Sequence, residues 1–120
     1  MIRPLALALL CAAPAVAEPW DCAFTVECEA GAGCEPIAVS LRVIAADHAG
    51  DLFLSSSIGD SPVLRLTPPG TLPATYAGSG RDGIAELLTI EADRTALLTL
   101  HIFDGAAAAA THFGTCEGLQ

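Results

Sequence analysis

Any chemistry in this chain has to come from three histidines, a set of cysteines and a few carboxylates near turns. The histidines are His48, His101 and His112, and the carboxylates fall into the pairs Asp47/Asp51 and Asp82/Glu86. Two carboxylates can divide acid and base roles or hold calcium, and imidazoles a few ångströms apart can share zinc. The turns around Asp47 and Asp82 lack the dense run of oxygen ligands that a calcium loop needs. Gly78-Ser79-Gly80 lacks the spacing of a nucleophile elbow, and no helix follows it. A Cys-x-x-Cys redox pair is absent. The residues therefore predict no catalytic group, no metal site and no cofactor. The carboxylates read as solvated turn acids, since Asp readily initiates turns, and the histidines as surface groups.

The first 17 residues follow a different logic. Met1-Ile2-Arg3 is a short positive start, Leu5 to Ala13 is continuously apolar, and Ala15-Val16-Ala17 is a small-x-small cleavage pattern. The apolar run falls short of the roughly 20 residues that span a bilayer. Leu9-Leu10 before Cys11 does not fit lipoprotein processing. Cleavage after Ala17 is expected to leave residues 18–120 as one periplasmic or secreted domain. Without Arg3 that domain has four arginines and no lysine against 14 acids, a net charge of −10. Such a field repels nucleic acid and anionic lipid and attracts a cationic protein, which is the partner class the charge allows. Six aromatic residues are too few to build the interfacial girdles of a membrane barrel. Nothing in the sequence specifies an oligomeric state.

The elements that would position these groups are short β-type runs between turn clusters. Cys22 to Cys28 alternates, with Cys22, Phe24, Val26 and Cys28 on one face and Glu27 on the other. Glu29 to Glu35 is a Gly-containing loop. Ile37 to Ile44, Leu52 to Ile58 and Val63 to Thr67 follow, ended by Pro68-Pro69-Gly70. Thr71 to Ala77 is a weaker run whose Pro73 suits an edge or a strand start. Gly78 to Gly83 is the loop richest in glycine, and Ile84 to Glu91 and Thr95 to Phe103 are clear strands. No segment holds a helical apolar period. The five alanines Ala106 to Ala110 favour helix intrinsically, yet they lie between a turn and Thr111-His112-Phe113, and strand is the reading adopted. The sum is an all-β antiparallel barrel or sandwich of about eight strands.

Asp104-Gly105 is a two-residue hairpin signal. A turn of that length pairs Phe103 with Ala106 and Leu97 with His112. It places Leu98, Leu100, Ile102, Ala107, Ala109 and Phe113 in the core and leaves Leu97, Phe103, His112 and Leu87 outside. His101 and His112 then share a face about 13 Å apart, too far for one zinc ion.

Four cysteines in an exported chain read as two disulfides. In an up-and-down order the first and last strands become neighbours. Cys22 then meets Cys116, and Cys28 meets Cys34 across the short loop. The alternative joins Cys28 to Cys116 and Cys22 to Cys34.

Trp20-x-Cys22 at the start and Gly114-Thr115-Cys116-Glu117 at the end resemble small uncharacterised secreted bacterial β-proteins. More loosely they resemble the periplasmic inhibitors of c-type lysozyme, small antiparallel barrels with an aromatic-x-Cys start. That family's inhibitory loop carries Ser-Gly-x-x-Tyr, and Ser79-Gly80-Arg81-Asp82 begins the same pattern before Gly83 replaces the Tyr. The resemblance implies a partner-binding loop at Gly78, Ser79, Gly80, Arg81, Asp82 and Gly83, presented to a cationic wall hydrolase. The functional expectation is an exported, non-enzymatic binding or structural protein of the envelope. Inhibition of a lysozyme-type hydrolase, or hydrolysis by carboxylates around Asp82 and Glu86, are its alternatives. A pocket gathering at least two acids, or a histidine with an acid, would favour an enzyme, whereas a filled barrel interior with a flat apolar patch would favour a binder.

Overall fold

The computed structural model describes residues 18–45 and 50–119, with residues 79–81 described by their backbone alone. The expected signal segment with its Ala17 boundary and Cys11, as well as Asp47 and His48, lie outside the described residues.

Within the described residues the chain forms eight strands: β1 (Trp20–Glu29), β2 (Gly33–Ala45), β3 (Leu52–Ser56), β4 (Gly59–Arg65), β5 (Ala74–Arg81), β6 (Ile84–Ile90), β7 (Thr95–Phe103) and β8 (Ala107–Gly118). Every neighbour is antiparallel, and β8 returns to pair with β1. The result is a closed up-and-down barrel. Closure removes the sheet edges that an open β-protein must protect. It also seats Cys22 directly opposite Cys116, and Cys28 opposite Cys34 across the β1–β2 hairpin, where both disulfides form.

Three local expectations are corrected. The alanine run is strand, but the turn before it is Asp104-Gly105-Ala106, so Phe103 pairs with Ala107 and Leu98 with His112. Gly105 sits at φ 76°, which suits the three-residue hairpin grammar. This one-residue slip turns β8 over: His112 becomes buried, and Phe113, expected in the core, is exposed. The second correction concerns β1, which carries a bulge between Phe24 and Val26. The extra residue reverses the alternation, so Val26 faces out opposite Phe113 and Glu27 comes opposite His112. The third is the glycine-rich segment. Gly78 to Arg81 belongs to β5, and the turn itself is only Asp82-Gly83.

The core lies at one end of the barrel, where the chain enters and leaves. Trp20, Cys22, Phe24, Leu41, Val43, Leu54, Tyr76, Leu88, Ile90, Leu98 and Cys116 fill it. A polar network closes that end. The Trp20 indole donates to the Tyr76 hydroxyl at 3.1 Å, the hydroxyl donates to Glu18, and Arg65 donates to both Glu18 and Tyr76. Arg94 stacks on the Trp20 ring and Arg65 on Tyr76, each at 5.0 Å. Burial alone raises the Glu18 pKa, but the hydrogen bonds from Tyr76, its own amide and Arg65 outweigh it and hold the carboxyl below its usual value. Burial and the nearby Glu18 charge push the Tyr76 phenol well up, so it stays a donor.

Candidate functional site

The other half of the same barrel is lined differently. Eight strands enclose an interior that side chains can fill or that can hold one small ligand. Toward the hairpin end the inward positions carry Ser56, Gly59, Ser61, Gly78, Ala110 and His112, which are too small or too polar to fill the space. A cavity of about 790 Å³ results. Its apolar walls are Val39, Leu41, Leu54, Ile84, Leu98 and Leu100. Its access is set by strand pairing: β2 is bonded to β3 only from Leu41 to Ala45. Between Ser40 and the Ser57-Ile58 turn the wall opens, and the cavity continues over this gap to Arg42 on the outer surface.

Two polar centres lie in this cavity. His112 is only 6% exposed, and its Nε2 lies 2.5 Å from Glu27 Oε2. A carboxylate accepts, so Nε2 carries the proton of this bond. Nδ1 is buried and has no hydrogen-bond partner among the described residues. Phe24 packs near the ring with centroids 6.1 Å apart. The second centre is Glu86 on β6, flanked on its own face by Ile84 and Leu88. Burial there raises its carboxyl above the usual glutamate range.

The residues singled out in the sequence are distributed unevenly over this geometry. His112 and Glu86, read as surface groups, are the two centres of the cavity. His101 is exposed on the outer face, so the two histidines lie on opposite sides of the sheet. It borders a shallow outer groove with Ala85, Phe103 and Ala109. Asp51 is exposed, and Asp82 stands on the cavity rim in a tight turn at φ 55°. Glu27 was missed, because the bulge that turns it inward leaves no local mark. Among the described residues no group of three or more histidines, cysteines and acids is placed to hold a metal ion.

The raised pKa of Glu86 has a consequence for stability. Below the unfolded-state value the residue is protonated in both states and costs nothing. Above the folded value the native state carries a poorly solvated charge, so this group's contribution to stability falls as pH rises through that interval. Glu86→Gln is therefore expected to raise the melting temperature at neutral pH and to leave it unchanged near about pH 3. Glu18 acts in the opposite sense, with stability lost as pH falls, but it is common to both proteins and cancels in the difference. Thermal denaturation of both at the two pH values reads the effect. An equal difference at both would show that ionisation of Glu86 is not its source.

No protein-family model, curated protein or solved structure matches the chain.

Proposed function

We propose that this is an exported, non-enzymatic binding protein whose half-filled barrel takes one small ligand. The observation that carries this is the contrast between the two ends. One end is packed around the Cys22–Cys116 bridge, while the other encloses about 790 Å³ with an open side. That volume lies within the range of small-ligand sites, and apolar walls with a few convergent polar groups are their usual lining. The two disulfides are consistent with an oxidising extracellular or periplasmic location. The test is titration with a neutral apolar dye such as phenylnaphthylamine. Saturable fluorescence at one dye per chain is expected, and Ser61→Trp, which projects an indole into the cavity, should abolish it with the circular dichroism unchanged. Dye binding untouched by that substitution would place the site elsewhere.

A second reading rests on His112, which joins an acid inside a pocket as a hydrolase would require. Hydrolysis needs an attacking group activated by the imidazole. Here Nε2 is committed to Glu27, and no described nucleophile reaches Nδ1. Turnover of ester or glycoside substrates, lost in His112→Gln, would establish the enzyme in place of the binder.

A further inference from the structure

Resting on the reading that the cavity holds a ligand, we propose that the ligand is a cationic amphiphile. Its ammonium group lies between Glu86 and His112, and its apolar body lies against Val39, Leu54, Ile84 and Leu98. The donors and acceptors that face the cavity do not balance. His112 Nδ1 has no partner among the described residues, and where the ring is neutral with Nε2–H given to Glu27 it is an acceptor without a donor. The Glu86 carboxylate is acceptor-only, and no described side chain pairs with it. Ser56 already donates to the Gly59 carbonyl and accepts from the Ile58 amide, so it closes its own turn. Among the described residues the interior thus holds unfilled acceptors and no matching cation.

The described arginines do not change this balance. Arg65 and Arg94 are committed at the closed end, and Arg42 stands exposed on the outer face of β2, where the cavity opens, and not in its interior. An anionic ligand would meet the Ser61 hydroxyl but no described cation in the interior, and its charge would face Glu86. A ligand rich in donors is the complement, and an ammonium brings three donors and no acceptor. Leaving a buried acceptor unmade is costly, so filling these two favours such a head over an apolar one.

The spacing also suits a small head. Glu86 opposes Leu100 on β7, and His112 opposes Leu98 on the far side of that strand. Their backbones are separated by one intervening strand and offset by two residues along it, about 12 Å in all. Both side chains line the same cavity, so a compact group can lie between them. The acidic surface, with 14 acids in the chain, enriches cations around the mouth as well.

Three probes with one body and different heads test this: phenylbutylamine, phenylbutanol and phenylbutyrate, titrated calorimetrically into the oxidised protein. The amine should bind at least about tenfold more tightly than the alcohol, as expected for charged hydrogen bonds in a shielded site, and the carboxylate most weakly. Glu86→Gln should remove most of the preference for amine over alcohol. Glu117→Gln, an exposed acid at the opposite end, changes net charge equally and should leave the preference intact. Equal binding of the three probes, or tightest binding of the carboxylate, would overturn the cationic ligand while leaving a ligand-binding barrel. So would a loss of preference in both variants, which would mean bulk charge and not the site. If none of the probes binds and the neutral dye does not either, both readings fall together.

Discussion

Replacing Cys22 and Cys116 together by alanine is expected to destabilise the oxidised protein by about 4 to 5 kcal/mol, against about 2 kcal/mol for the Cys28/Cys34 pair. The difference follows from the chain length each bridge closes, 94 residues of separation against 6. A bridge between distant residues removes many more unfolded conformations than one across a hairpin. Position adds to the contrast. Cys22 and Cys116 are fully buried in the core at the β1–β8 seam, whereas Cys34 is exposed near the start of β2, at the hairpin end. The seam also joins residues from the two ends of the chain, the pairing with the largest loop-closure cost. Urea unfolding monitored by circular dichroism measures both variants. Equal losses, or a larger loss for Cys28/Cys34, would show that chain entropy does not govern the contribution of these bridges.

The elements and their order were legible because the signals are local. Gly and Pro clusters ended each run, alternation marked each strand, and the antiparallel order followed from the short connections. The cysteine pairing was legible for a related reason, since an up-and-down order that closes leaves one neighbour for Cys22. Side-chain parity was less secure, because a single residue reverses it. Asp104-Gly105 suits both a two-residue and a three-residue hairpin, and Ala106 carries nothing to choose between them. The bulge at Thr25 is similarly silent.

Two signals for the site were nonetheless present. Cys116 has to face inward to reach Cys22, and counting back by twos along β8 gives Gly114, His112 and Ala110 on the same face. Parity taken from the disulfide places His112 inside, where parity taken from the turn did not. Ile84, Glu86, Leu88 and Ile90 share one face by alternation, so Glu86 stands out in the sequence as an acid on an otherwise apolar stripe. Glu27 had no such mark, since its inward position depends on the extra residue in β1.

Gly114→Ala tests what holds that extra residue in place. Gly114 pairs with Phe24 at the start of the bulge. A Cβ built there would lie 2.0 Å from the Ala23 carbonyl oxygen and 2.7 Å from Phe24 Cα. Both are backbone atoms, so no rotamer change can relieve the contact, and the strands themselves have to separate. The expected loss is at least about 3 kcal/mol, the upper part of the range for overpacking. Gly118→Ala, on the same strand, has its nearest neighbour at 3.8 Å and is expected to stay within about 0.5 kcal/mol of wild type. The consequence extends to the cavity, because the Glu27–His112 bond lies beyond the bulge on the same two strands. Strands forced apart at Gly114 carry Glu27 away from the imidazole, so residual folded Gly114→Ala should show a displaced His112 ring resonance. A Gly114→Ala protein as stable as Gly118→Ala would mean that β1 and β8 do not approach this closely in solution.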